Sequence, residues 1–142
     1  MCYYLSLGSN LGERELIISQ ALKQIEQQIG HISRCSSFYY SAPWGFESEH
    51  EFCNICCSVE TELAPFDMLK ATQSIEQQLG RTHKSVHQQY SDRTIDIDII
   101  KAFDEDGKEI CLDTPRLTIP HPLWQQRDFV CVPLKEISEP EN

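Results

Sequence analysis

The chain has no apolar run approaching the roughly 18 residues that a membrane-spanning helix needs. Its first residues, "MCYYLSLGSN", carry neither a basic opening nor a long apolar stretch, so they do not read as a secretory leader. Seven cysteines are an odd number without regular disulfide spacing, and with no export signal they read as reduced thiols in the cytoplasm. Bases are scarce: 12 stand against 22 acids, giving a net charge of −10. That balance argues against a nucleic-acid partner, which needs a basic face. Both glycine-rich phosphate motifs are missing as well. "GSNLGER" lacks the lysine of a P-loop, and no G-x-G-x-x-G occurs. A phosphate site here would therefore be built from a metal and side chains. There is no internal repeat and no low-complexity tract, and 142 residues suit one domain over positions 1–142.

What is present is a regular alternation of short elements. "CYYLSLGSN" is a strand that breaks at Gly8, with Ser9 or Asn10 placed to cap the next element and Glu13 in the first turn of that element. Residues 12–29 are expected to be helical, because Ile18, Leu22, Ile25 and Ile29 recur at helical spacing before Gly30. "HISRCSSFYYSAP" and "FCNICCSVETEL" read as two strands joined by the polar loop "WGFESEHE". Pro65 opens a second helix, lined by Met68, Thr72, Ile75 and Leu79 and ended by Gly80. After the polar "RTHKSVHQQYSD" comes the strand "RTIDIDIIKAF", then "DEDG" as a turn into "KEICL". The proline-rich remainder is expected to wrap as an appended hairpin or loop with short elements. The order is the α+β, ferredoxin-like βαββαβ, with an antiparallel sheet and both helices on one face. The other face is left for a ligand or for the C-terminal segment.

The last strand poses a chemical question. Side chains alternate along a strand, so Ile95, Ile97 and Ile99 point one way and Asp96 and Asp98 the other. The two aspartates lie roughly 6.6 Å apart at the usual rise per residue. Like charges that close repel unless the face is well solvated or a cation lies between them. Mg²⁺ suits the second case, because it takes one or two carboxylates and completes its shell with water and phosphate oxygens. Bases cluster nearby: seven of the 12 fall between Arg81 and Arg127, together with His83, His87 and His121.

Taken in order, "LGSNLG" (7–12), "SSFYYSAPWG" (36–45), "FCN" (52–54), "TQSIEQQLGR" (72–81), "DRTIDIDII" (92–100), "RLTIPHP" (116–122) and "RDF" (127–129) resemble the 6-hydroxymethyl-7,8-dihydropterin pyrophosphokinases over nearly the whole chain. The resemblance implies transfer of pyrophosphate from ATP, the co-substrate, to the hydroxymethyl group of a reduced pterin, with release of AMP. It implies two Mg²⁺ ions on Asp96 and Asp98, with Arg93, Lys84 and Arg127 also serving the transfer. For the pterin it implies Ser41, Ala42, Pro43 and Trp44, the rings of Phe52 and Phe129, and Asn54. For ATP it implies Gln73, Glu76, His83, Lys84, Tyr90, Arg93, Ile99, Arg116, Thr118, His121 and Arg127. Departures from the family pattern fall at Ser41-Ala42, at His83 where arginine is common, at Ser91-Asp92, and at Pro122. His83 would make phosphate binding depend on pH, because histidine is only partly protonated near neutrality. The polar segments 44–51 and 81–92 are expected to serve as lids. Cys53 and Cys56 form a C-x-x-C, but on a strand they face opposite ways and suit zinc poorly. A pterin- or nucleotide-binding module without turnover, and a metal-dependent nuclease or phosphatase, are the competing classes. Monomer and homodimer stay open.

Overall fold

The computed structural model describes residues 1–10, 13–41, 52–80 and 95–138. The elements run β1 (Cys2–Ser9), α1 (Arg14–Gln28), β2 (His31–Cys35), β3 (Tyr39–Ser41), β4 (Phe52–Glu60), α2 (Pro65–Gly80), β5 (Asp96–Phe103), β6 (Leu112–Asp113), β7 (Thr118–Ile119) and α3 (Asp128–Ser138), with a 3₁₀ turn at Trp124–Gln126. The main sheet has the order β2-β4-β1-β5, with β3 extending the β2 side along β4. Its pairings are all antiparallel, so the first strand of the chain sits at the centre.

Period-2 patterning splits the strands between two cores. Tyr3, Leu5 and Leu7 of β1, Ile55 and Val59 of β4, and Ile97 and Ile99 of β5 pack against Ile18 and Ile25 of α1 and Met68 and Ile75 of α2. On the opposite face Cys56 and Ile100 meet Val130, Leu134 and Ile137 of α3. The expected two-helix face is therefore present. A β-bulge inserts Ile100 opposite β1 between Tyr4 and Leu5, so Ile100 and Lys101 both turn to the α3 face and Ala102 returns to the two-helix core.

Four local expectations are corrected. The residue capping α1 is Glu13, without a side-chain cap bond, so α1 starts at Arg14 instead of 12, while Ser9 stays within β1. The expected single strand over 31–43 is broken between β2 and β3. There the Cys56 N–H donates to Ser36 Oγ (3.0 Å) in place of a carbonyl, and the ladder opens. "KEICL" meets β5 only through the isolated Phe103–Glu109 bridge, and just its last residue, Leu112, is strand, opening the short β6 that pairs with β7. The C-terminal segment keeps that hairpin but ends in an 11-residue helix where loop was expected. Val130, Pro133, Leu134 and Ile137 recur at helical spacing and are buried, and burying that stripe outweighs the donor that Pro133 lacks.

α3 is strapped to the far edge of the sheet. Arg34 Nη1 donates to the Ile137 carbonyl (2.9 Å), and the Glu136 carboxylate accepts from Ser37 N–H (3.2 Å) and Ser37 Oγ (3.0 Å). Among the described residues no helix is long and apolar enough to cross a membrane.

Candidate active site

α3 covers only part of its face of the sheet. Beside it lies a cleft of about 720 Å³. The sheet register sets its floor. Gly8 of β1 pairs with Asn54 on one side and Asp96 on the other, and Ser6 pairs with Cys56 and Asp98. With neighbouring strands about 4.8 Å apart, Asn54 and Asp96 stand about 10 Å from each other across Gly8. Tyr39, Ser41 and Phe52 form one wall, and Leu123, Gln126, Arg127, Asp128 and Phe129 the other.

Asn54 is buried, and its side-chain amide donates weakly to the Leu7 carbonyl at 3.5 Å. Its Oδ1 is buried and has no hydrogen-bond partner among the described residues. A buried acceptor left unsatisfied costs about 1–3 kcal/mol, so this oxygen suits a ligand donor. Gly8 makes the arrangement possible. A Cβ there would collide with the Asn54 amide nitrogen.

Asp96 and Asp98 are half-buried and line the cleft together, as the alternation of the strand requires. Between them, the Ile97 N–H points away from β1 and donates to Glu76 Oε2 of α2 at 2.7 Å. His121 is held by its own N–H to the Ile100 carbonyl (2.8 Å), and its Nδ1 accepts from Leu123 N–H (3.2 Å). Burial lowers its pKa. Asp98 pulls it up and Arg127 pushes it down, so His121 shares the electrostatic field of both. An accepting Nδ1 leaves Nε2 carrying the proton. The Arg127 guanidinium lies 5.7 Å from the Phe129 ring centre, at the start of α3.

Among the described residues no group of three or more histidine, cysteine or acidic side chains could hold a metal. That excludes a closed zinc cage within those residues. Two half-buried carboxylates opening on a cleft instead fit a hard divalent ion that keeps several sites for water and phosphate. Cys53 packs in the two-helix core and Cys56 in the α3 core, as their spacing on a strand implies. Burial pushes the Cys56 thiol up to about 12 and the Cys53 thiol to about 11, so neither is poised as a thiolate.

The expected residues divide into three sets. Ser41, Phe52, Asn54, Asp96, Asp98, Arg127 and Phe129 line the one cleft, with His121 beside Asp98 and Arg127. Gln73, Glu76, Ile99, Arg116 and Thr118 do not line it. Gln73 is exposed on α2, and Ile99 has its side chain in the two-helix core. The Arg116 guanidinium sits 5.0 Å from the Phe66 ring centre, and Thr118 Oγ1 donates to the Thr114 carbonyl at 3.4 Å. Ala42, Pro43, Trp44, His83, Lys84, Tyr90 and Arg93 lie outside the described residues, as do both expected lid segments. Sequence reasoning missed Ser6, Gly8, Tyr39, Leu123, Gln126 and Asp128. Gly8 and Tyr39 reach the site through their pairing with Asn54, and register across a sheet is not written in one strand.

The 7,8-dihydro-6-hydroxymethylpterin-pyrophosphokinase family matches residues 4–139. A Porphyromonas gingivalis protein named 2-amino-4-hydroxy-6-hydroxymethyldihydropteridine pyrophosphokinase is 44% identical over 137 residues, covering 95% of this chain and 89% of its own. The Bacillus subtilis protein of that name is 36% identical over 137 residues, covering 96% of this chain and 77% of its own. A solved Plasmodium falciparum HPPK-DHPS structure superposes with a TM-score of 0.68 at 17% identity, over 96% of this chain. This chain spans 39% of that solved chain, and at such identity the likeness speaks for the fold. With the family matching nearly every residue, the chain belongs to the 7,8-dihydro-6-hydroxymethylpterin-pyrophosphokinases.

Proposed function

We propose that this chain, as a single pyrophosphokinase domain working on small molecules in the cytoplasm, transfers pyrophosphate from ATP to the hydroxymethyl group of 6-hydroxymethyl-7,8-dihydropterin. AMP is the other product. The observation that carries the reading is the row Asn54–Gly8–Asp96: a buried amide with an unsatisfied oxygen faces the same cleft as a carboxylate pair about 10 Å away. That separation matches a bicyclic heterocycle that is read at one end and reacts at the other.

Asn54 Oδ1 accepts from the amide edge of the pterin while its amide nitrogen donates to the same edge. Phe52 and Phe129, from β4 and α3, offer faces on which the flat ring stacks. Asp96 and Asp98 would hold Mg²⁺, two ions in this reading, which supplies charge neutralisation for the phosphates and brings the acceptor oxygen close. Arg127, in the same cleft, neutralises phosphate charge as the hydroxymethyl oxygen displaces AMP from the β-phosphorus in line. His121, neutral with its proton on Nε2, donates a hydrogen bond to a phosphate oxygen without adding charge. Lys84, Arg93, His83 and Tyr90 are assigned to the phosphates and the nucleotide by the family pattern alone. Gln73, Glu76, Ile99, Arg116 and Thr118 are assigned to the adenosine end, and Ser41 to Trp44 to the pterin, by the family pattern.

The test is an assay of the purified protein with ATP, Mg²⁺ and the hydroxymethyl pterin. AMP that requires the pterin, and is lost in the Asp96→Ala/Asp98→Ala variant, supports the reading. A folded protein that binds pterin without producing AMP sinks it. Production of ADP or free phosphate would mean a different transfer.

A further inference from the structure

We infer that Glu76 is a positioning residue for the aspartate pair, holding the strand that carries it through a main-chain hydrogen bond. Among the described residues β5 is the edge of the main sheet, so alternate N–H groups on its outer side face no described strand of that sheet. Beyond the bulge the chain covers that side itself: Ile110 N–H donates to the Ala102 carbonyl and His121 N–H to the Ile100 carbonyl, both at 2.8 Å. Before the bulge the described partner is a side chain. Glu76 Oε2 takes the Ile97 N–H at 2.7 Å, short for a nitrogen donor, as charge-assisted bonds are. Ile97 is the residue between Asp96 and Asp98, and its side chain is 5% exposed in the two-helix core. The peptide between the carboxylates is thus held in two directions, by core packing at its side chain and by α2 at its N–H.

The consequence is geometric. Two carboxylates converge on one cation only while the pleat between them holds. The first residues of an edge strand are held by a strand on one side only, and they move unless something fixes the other side. Glu76 supplies that fixing from a helix seated on the opposite face of the sheet. This goes beyond the adenosine-side assignment of Glu76, and it rests on the pyrophosphokinase reading only in naming the pair as metal ligands.

The experiment compares Glu76→Leu with Glu76→Gln, whose amide oxygen still accepts. Hydrogen exchange at the Ile97 amide and binding of Mn²⁺ plus a non-hydrolysable ATP analogue, monitored by electron paramagnetic resonance, need no turnover. Glu76→Leu is expected to raise Ile97 exchange at least tenfold and weaken Mn²⁺ about tenfold, leaving pterin affinity within twofold. Glu76→Gln is expected to stay within threefold of the parent on each. Equal losses in both variants, or faster exchange without a change in Mn²⁺ affinity, would overturn the inference. So would weaker binding of the analogue in EDTA with Ile97 exchange unchanged, which would make Glu76 a direct nucleotide contact. Failure of the pyrophosphokinase reading would show instead as an absence of pterin-dependent AMP in the parent protein.

Discussion

Adding one methyl group at Gly8 tests the proposal that Asn54 marks the pterin end of the cleft. In Gly8→Ala the new Cβ falls on the Asn54 amide nitrogen and stands 3.2 Å from Asn54 Cγ. Asn54 is 5% exposed, so its side chain cannot step aside into solvent. It must rotate away from the cleft or push β1 from β4. Rotation costs the ligand the contacts that Asn54 provides. A neutral hydrogen bond contributes about 0.5–1.5 kcal/mol, and a buried polar group left unpaired costs about 1–3 kcal/mol. Losing two contacts therefore amounts to about 2–3 kcal/mol, or about 30- to 140-fold in pterin affinity. The fold should feel less, because an alanine in place of glycine narrows the unfolded ensemble by about 0.4–1 kcal/mol and offsets part of the crowding. Calorimetric titration with the pterin and with an ATP analogue, beside thermal melting, reads all three quantities. A cycle with Asn54→Ala sharpens it: once Asn54 is truncated, Gly8→Ala should cost little more. Additive losses, or pterin affinity within threefold of the parent at unchanged Tm, would refute the reasoning.

Asp96→Asn and Asp98→Asn should each lower the rate of AMP formation by about 10³-fold, taking about 4 kcal/mol as one lost anionic ligand; pterin binding measured in EDTA should persist, and parallel loss of both would point to misfolding. His121 should make stability depend on pH. Its folded-state pKa lies below the ordinary 6.5, so the unfolded chain takes up the proton first; the contribution is full above 6.5 and declines as pH falls below it. Melting from pH 8 to pH 5 should show a steeper acid decline for the parent than for His121→Gln, and coincident curves would contradict this. Leu134→Ala should cost about 2–5 kcal/mol by opening a cavity under α3 and should weaken pterin binding through Phe129, read as a lower Tm and a higher pterin Kd. In a thiol-labelling time course the exposed Cys35 and Cys111 should react first, and buried Cys53, Cys56 and Cys57 only on unfolding.

The alternation Ile95–Ile97–Ile99 against Asp96–Asp98 was legible because period 2 is a local property, and it placed the carboxylates on the cleft face. Phe52 and Asn54 came from the family pattern, and the same alternation puts them on one face of β4. The break at Ser36 was not, because a serine hydroxyl standing in for a carbonyl looks like any strand serine. α3 was hidden by Pro133 and by the prolines before it, although Val130, Leu134 and Ile137 already carried the helical spacing. Gly8 stands in a stretch that matches the family, but what it does depends on Asn54, 46 residues later, through a register only the sheet reveals. The assignments of Gln73, Arg116 and Thr118 came from the family pattern, since an exposed helix residue and a hairpin residue carry no chemical signature alone.

The strap on α3 also bears on how the molecule comes into being. Arg34 reaches Ile137 across 103 positions of sequence, and the first strand of the chain finds its last sheet partner only when β5 arrives. A growing chain that stops short of Arg127 has the floor of the cleft but neither Arg127 nor Phe129. Its apolar second face, Ile100 and Cys56 among it, is bare until then. Assembly of this fold therefore runs late and over long loops, which slows it. In the pyrophosphokinase reading a chain cut short ahead of α3 should therefore lack activity, with an apolar face left open to aggregation.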